Sequence, residues 1–257
     1  MQSALKLQLL EAACTPYRAV GYFHYHWARG KLGQDPVFTW LLEHGTLDRR
    51  NRVLDLGCGR GLLAAWFLAA DRLAATGQWP ASFEVPTGIK FHGVDLHAGV
   101  CAAGNRALRP HFGDRVSLVS GDMSHADLFG YDAITILDVL HYIPFAQQEV
   151  MLDRIRAALG PDGLLVTRVG NAQGGWRFRF SQCADLAVSC AQGHRIHSLY
   201  CRPLDNWTRA LETRGFTVTA QPMSEGTPFS NTLLVARVPW SSKISSFHNV
   251  NYSCSHY

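Results

Sequence analysis

From residue 52 onward, short apolar runs alternate with helix-length segments, and that alternation predicts parallel strands joined by crossover helices. The runs place strands at Arg52–Leu56, Lys90–Asp95, Val116–Ser120, Ala133–Leu137 and Leu164–Val169, with helices at Leu62–Leu73, Ala98–Leu108 and Gln147–Leu159. Gly160-Pro-Asp-Gly163 is a turn signal that ends the last of these helices and starts the fifth strand. A longer excursion over 171–202 carries a further helix at Ser181–Ala191, and Leu204–Arg214 reads as a helix closed by Gly215. The final strands, Thr217–Gln221 and Thr232–Arg237, are joined by Met223–Phe229, which is too short for a crossover, so they are expected to pair antiparallel. Ahead of the alternation lie an amphipathic first helix, an aromatic and basic segment at Tyr22–Lys31, and a helix from Pro36 to about His44 stopped by Gly45. The expected organisation is a helical cap over 1–50, an α/β domain over 51–240 with an insertion at 171–202, and a loose Ser- and Asn-rich tail over 241–257.

Composition narrows this picture. Nearly half of the 257 residues are apolar and 17% are charged, which suits one globular core. The net charge of +4 is mild and does not by itself imply nucleic acid, whose binders usually concentrate their charge in a stripe. Seven scattered cysteines (14, 58, 101, 183, 190, 201 and 254) include no C-x-x-C pair, which argues against a zinc site or a disulfide framework and for free thiols in a reducing, cytoplasmic compartment. The N-terminus has the outline of a lipoprotein signal, but Glu11 interrupts its apolar run. The apolar stretch Leu62–Ala70 falls far short of the ~20 residues needed to cross a bilayer, so no membrane partner is expected.

The chemistry sits in Asp55-Leu-Gly-Cys-Gly-Arg-Gly61, which follows a strand and opens a helix. Glycines there let the backbone approach a ligand and turn through positive φ, while free N–H groups and the helix N-terminus face the bound group. The dinucleotide fingerprint G-x-G-x-x-G would require glycine at Leu62; here the glycines are 57, 59 and 61. With Val53-Leu-Asp-Leu ahead of them, they resemble the first motif of the class I (Rossmann-like) S-adenosylmethionine-dependent methyltransferases. A structural turn is the bland alternative.

That resemblance implies a seven-stranded, mostly parallel sheet of order 3-2-1-4-5-7-6, its last strand antiparallel, with helices on both faces and S-adenosylmethionine as cofactor. The cradle would be Asp55, Gly57, Cys58, Gly59 and Gly61. Asp95, with Leu96 beside it, would take the ribose hydroxyls, since a carboxylate accepts two hydrogen bonds from neighbouring hydroxyls. Its 40-residue separation from Asp55 is about twice the usual ~20, and the surplus at Ala75–Gly88 reads as a surface insertion. Asp122 would accept from the adenine amino group and Met123 would pack on the ring; the alternative is an Asp capping a turn. After strand four, Ile136-Leu-Asp-Val-Leu-His-Tyr-Ile-Pro144 resembles small-molecule methyltransferases. There Asp138 and Val139 would hold the methionine end, His141 is the candidate base, and Tyr142 would line the acceptor side. A lone histidine is more often structural. Arg29 or Lys31 would pair with the cofactor carboxylate and Tyr25 would line the pocket, unless these aromatics simply join the core.

At finer grain, Ala28-Arg-Gly-Lys-Leu32, Leu137-Asp-Val-Leu-His-Tyr142, Leu199-Tyr-Cys-Arg-Pro203 and Gln221–Phe229 resemble methyltransferases encoded with aryl-polyene or fatty-acid-synthase-like gene clusters. This implies an aromatic or acyl acceptor tethered to an acidic acyl carrier protein. Arg177 and Arg179 in the insertion read either as a solvated face or as the dock for that carrier, and the Ser224–Phe229 connector, expected at the carboxyl ends of the strands, puts Glu225, Thr227 and Phe229 on the substrate side. No metal ligands cluster, so metal-independent transfer is expected. A nicotinamide-dependent oxidoreductase, an RNA methyltransferase and a catalytically silent cofactor-binding protein remain as alternatives.

Overall fold

The computed structural model describes residues 1–80, 84–85, 87–170, 199–223 and 231–240. Seven strands lie among them: β1 (Arg52–Leu56), β2 (Lys90–Asp95), β3 (Val116–Ser120), β4 (Ala133–Leu137), β5 (Leu164–Gly170), β6 (Thr217–Pro222) and β7 (Asn231–Arg237). They form one sheet in the order β3-β2-β1-β4-β5-β7-β6. Strands β1 to β5 pair in parallel, whereas β7 runs antiparallel to both β5 and β6. The order reverses direction between β1 and β4, whose register runs from Val53 opposite Ala133 to Leu56 opposite Ile136. The two carboxyl ends are therefore level, and the crevice beyond them is where open α/β sheets bind ligands.

The helices are α1 (Ser3–Cys14), α2 (Tyr22–Gln34), α3 (Pro36–Glu43), α4 (Leu62–Ala75), α5 (Ala98–Phe112), α6 (Phe145–Ala158) and α7 (Leu204–Glu212). Alternation along β1 divides the core in two. Val53 joins the cluster formed with α1, α3, α4 and α5, while Leu54 and Leu56 join the cluster formed with α6 and α7. Helix α4 explains why the N-terminal helices are needed. It is buried almost continuously from Leu62 to Leu73, so the face turned away from the sheet also needs cover. α1 supplies that cover with Leu5, Leu9, Leu10, Ala13 and Cys14, all in one core with α4. Each fully buried leucine contributes about 1.5–3 kcal/mol, so α1 is part of the body of the domain.

The predicted elements appear with small shifts. α4 and α5 run a few residues longer, and α5 continues through Pro110 to Phe112. The aromatic segment read as preceding a helix is itself α2, extending to Gln34. In the Ala75–Gly88 surplus, Trp79 is buried, so part of that stretch packs inward. The predicted helix at Ser181–Ala191, Arg177, Arg179, Glu225, Thr227, Phe229 and the tail from 241 all lie outside the described residues. Among the described residues no helix is long and apolar enough to cross a membrane.

Candidate active site

The loop leaving β1 is pinned to the neighbouring strand, with Gly57 N and Cys58 N donating to Val94 O at 2.8 and 3.3 Å. Its three glycines answer to three different constraints. A Cβ at Gly57 would stand 2.2 Å from Val139 Cγ2, so the end of β4 packs directly on it. A Cβ at Gly61 would press on Leu108 and Leu118 at 3.0 Å, where α4 starts against α5 and β3. At Gly59 nothing lies within 4 Å, and this residue, with φ of +54°, edges open space at the carboxyl end of the sheet. Of the three, Gly59 is the one a ligand can approach.

Asp95 closes the loop from the side of β2. Its Oδ2 accepts from Gly59 N at 2.9 Å and its Oδ1 from His97 N at 3.0 Å, leaving one acceptor position on each oxygen. Leu96 is 66% exposed at the same edge, an apolar surface without cover. Asp122 caps the turn Met123–His125, accepting from Ser124 N at 2.8 Å, while Met123 is buried. The Ser124 hydroxyl and amide hold the Asp122 carboxyl below its usual range. Asp55 lies beneath the loop, fully buried, with Thr135 Oγ1 donating to it at 2.6 Å. Burial raises its carboxyl to about 6, with the Thr135 hydrogen bond opposing and the charge of Asp95 adding to the rise.

At the end of β4 the chain turns through Asp138, a non-glycine residue at φ 60°. Such backbone concentrates at functional sites because surrounding interactions must hold it there. Here Arg168 of β5 does so. Its Nε donates to Asp138 Oδ1 at 2.7 Å, its backbone carbonyl accepts from Asp138 N at 3.3 Å, and its Nη2 is ion-paired to Asp138 Oδ2. The same guanidinium grips Asp35 bidentately at 2.5 and 2.8 Å. Arg168 is 3% exposed, and neither burial nor mutual repulsion neutralises its partners. Burial acts to raise both carboxyls, but Arg168 outweighs it and holds Asp35 and Asp138 below the usual carboxylate range. Lys31 sits over the pair, 2.8 Å from Asp35 Oδ2 and 3.8 Å from Asp138 Oδ2.

Helix α2 crosses this edge. His24 Nδ1 accepts from Arg60 Nε at 3.0 Å, Trp27 covers the Arg60 guanidinium at 4.5 Å, and Lys31 reaches Asp138. The spacing 24, 27, 31 is one helical face, so α2 lies from the glycine loop to the end of β4. Burial and the Arg60 charge lower the His24 pKa, which keeps the ring neutral and able to accept. Arg29 and Tyr25 lie off this face. Arg29 is ion-paired with Glu11 at 2.8 Å, and the Tyr25 hydroxyl donates to the same carboxylate at 3.2 Å.

His141 and Tyr142 follow on a short turn, their rings 4.2 Å apart. His141 is buried, and burial lowers its pKa against the opposing pull of Asp138, so the imidazole is neutral at pH 7 and can accept a proton. The turn is stapled by Gln148, which is wholly buried. Its amide nitrogen donates to Leu140 O, Ile143 O and Tyr200 O at 2.9, 3.1 and 2.9 Å, and Tyr200 N returns a bond to His141 O at 2.8 Å. The Leu199–Pro203 segment thus anchors the histidine turn.

Four residues of this site escaped the sequence reading: Asp35, Arg168, Arg60 and Gln148. Two had a local signal. Asp35 ahead of Pro36 has the form of a helix N-cap, and its carboxylate accepts from Val37 N at 3.1 Å. Arg168 stands in the otherwise uncharged strand Leu-Leu-Val-Thr-Arg-Val-Gly170, where a charge needs a buried partner.

Comparison with known proteins agrees with this architecture. The family model described as "Methyltransferase domain" matches residues 26–221. The carboxy-S-adenosyl-L-methionine synthase of Chromohalobacter salexigens is 31% identical over 115 residues, 44% of this chain and 38% of that protein, so the match spans little more than a third of that relative. An O-methyltransferase family protein from Burkholderia thailandensis has a similar fold, with TM-score 0.60 and 17% identity over 87% of this chain and 62% of that one. Magnesium protoporphyrin IX methyltransferase from Synechocystis, solved with S-adenosylhomocysteine, superposes with TM-score 0.55 and 17% identity over 91% of this chain and 98% of that one. With its glycine loop, its sheet order and a family match covering most of its length, the chain belongs to the Rossmann-like, S-adenosylmethionine-dependent methyltransferase-domain family.

Proposed function

We propose that the chain transfers a methyl group from S-adenosylmethionine to a small-molecule acceptor in the crevice between β1 and β4. The observation that carries this reading is the charge pair above the open glycine loop. Lys31 and Asp138 stand 3.8 Å apart as a cation and an anion, complementary to the carboxylate and ammonium of an α-amino acid. In this reading Asp95 takes the ribose hydroxyls on its remaining acceptor positions. Leu96 and Met123 flank the adenine, with Asp122 at its amino group. The sulfonium supplies an already electrophilic methyl carbon, so what remains for the protein is alignment, exclusion of water and removal of a proton. Alignment alone is worth on the order of 7 kcal/mol or more in favourable systems. Neutral His141 is the proton acceptor, with Tyr142 on the acceptor side.

The small-molecule acceptor is supported by the His141 turn, and by structural relatives named for such acceptors, among them magnesium protoporphyrin IX methyltransferase and human N-acetylserotonin methyltransferase. The curated relative is named for a carboxylated form of the same cofactor. An aromatic or carrier-tethered acyl acceptor, with Arg177 and Arg179 as the carrier dock and Glu225, Thr227 and Phe229 at the acceptor, is the finer proposal from sequence. The absence of a long apolar helix among the described residues fits a cytoplasmic enzyme.

The test is calorimetric titration with S-adenosylmethionine, beside NADPH, on wild type and Asp95→Ala. Loss of charge-assisted hydrogen bonds of about 1.5–3 kcal/mol weakens binding by about 10- to 100-fold in the variant. Failure of the wild type to bind the sulfonium, or preference for the nicotinamide, overturns the reading.

A further inference from the structure

Beneath the glycine loop, two cysteines from distant parts of the chain share one pocket. The Cys58 side chain turns down against β2, where its sulfur would lie 2.6 Å from a Cβ at Gly93; only glycine leaves room for it there. The same absent Cβ would meet Leu118 at 2.6 Å, and Leu118 is in turn what a Cβ at Gly104 of α5 would meet, at 2.4 Å. Cys101 sits one turn before Gly104 on that helix face, and its sulfur donates to Val119 O at 3.3 Å. Val119 pairs with Val94, next to Gly93, so both thiols are brought to one spot between β2 and α5. They are near enough there to perturb each other, the Cys58 thiol being pushed up and the Cys101 thiol down.

We propose that Cys58 and Cys101 form an oxidation site that hydrogen peroxide closes into an intramolecular disulfide. Gly59, the neighbour of Cys58, borders open space, which gives a small oxidant its approach. The neighbouring Cys58 thiol lowers the pKa of the Cys101 thiol, which makes Cys101 the better nucleophile of the two. The Cys101 sulfur attacks one peroxide oxygen, the O–O bond breaks, and a sulfenic acid and one water result. The Cys58 sulfur then attacks the sulfenic sulfur, the S–O bond breaks, and the thiol proton leaves with hydroxide as a second water. Two thiols lose two electrons and one peroxide gains them. Contraction to the covalent distance of about 2 Å draws residue 58 toward α5 and away from Val94 O. That shift moves Gly59 N off Asp95. Its consequence for binding rests on the cofactor reading of this loop.

The experiment treats the reduced full-length chain with hydrogen peroxide, removes the oxidant, maps disulfides by peptide mass and titrates S-adenosylhomocysteine before and after dithiothreitol. Expected are a Cys58–Cys101 peptide, binding weakened about tenfold or more, and recovery on reduction. Cys101→Ser should form no such peptide and keep its affinity through the treatment. A mass map without that pair, or the pair with unchanged affinity, overturns the proposal. A reduced wild type that binds no S-adenosylhomocysteine overturns the cofactor reading instead, and the peptide map then decides the thiol pair alone.

Discussion

Replacing Arg168 by methionine removes the one buried cation between two carboxylates while preserving most of its volume. Asp35 is 10% exposed and Asp138 32% exposed, and among the described residues Lys31, itself 41% exposed, is the only other cation within 4 Å of them. Breaking a buried pair by deleting one partner costs about 3–5 kcal/mol, because the remaining charge is left uncompensated. For a domain of this size each kcal/mol is worth about 2–4 °C, so the melting temperature should fall by roughly 6–20 °C. Lys90→Met is the control. Its partner Asp114 lies at 2.9 Å, but the two side chains are 54% and 83% exposed, and solvent screening leaves such pairs contributing little. The pH dependence has a definite sign. In the wild type the depressed Asp35 pKa contributes stability above the unfolded carboxylate pKa, and that contribution is lost as pH falls through the folded value. Without Arg168 that carboxyl titrates higher, so protonation relieves the penalty and the gap to wild type narrows as pH falls from 7 toward the unfolded carboxylate pKa. Urea melts of both proteins across that range, with Asp35→Asn/Arg168→Met closing a double-mutant cycle, measure it. A loss no larger than that of Lys90→Met, or a gap that ignores pH, refutes the account of the cluster.

Two glycines should separate stability from binding. Gly57→Ala drives a Cβ into Val139 at a φ of 75° and should lower the melting temperature clearly, by a few kcal/mol in stability, since the obstruction is close and the backbone strained (about 1–2 kcal/mol for the φ alone). Gly59→Ala meets nothing, so thermal melts should show only that φ cost while calorimetry shows weakened S-adenosylmethionine binding; equal effects of both changes on both readouts would contradict the assignment. Asp55 has its pKa raised in the folded state to about 6, so its ionised form opposes folding above that pH and the opposition fades as pH falls toward 4. Asp55→Asn should therefore match or exceed wild-type stability at pH 8, by up to about 3 kcal/mol, and lose that advantage at pH 4. Chemical denaturation at the two pH values decides it, and an Asn variant that is less stable at pH 8 shows that the charge is compensated.

How far the molecule could be read in advance depended on the range of the interaction involved. The strands around Val53–Leu56 and Ile134–Ile136 were legible because each alternates between two buried faces, and the glycine loop because strand, acid, glycines and helix follow one another within a dozen residues. Asp95 and the antiparallel β6–β7 pair were legible for the same reason, through a strand end and a short connector. The site's electrostatics were not. Arg168 and Asp35 are 133 residues apart, and no local pattern states that a charge in β5 meets a helix cap from the N-terminal segment. Spacing also could not choose between Arg29 and Lys31, two residues apart on α2, until the helix was placed. Their rotation about the axis sends Arg29 to Glu11 and Lys31 to Asp138. The part of the site that local sequence names is thus the cradle, whose geometry comes from backbone. The part it leaves unnamed is the charge cluster, which exists only because α2 lies across the sheet edge with one face toward β4 and β5. A substitution that preserves the glycine loop but repacks α2 would therefore leave the motif intact while dissolving the Lys31–Asp138 pair, the one proposed to take the amino-acid end of the cofactor.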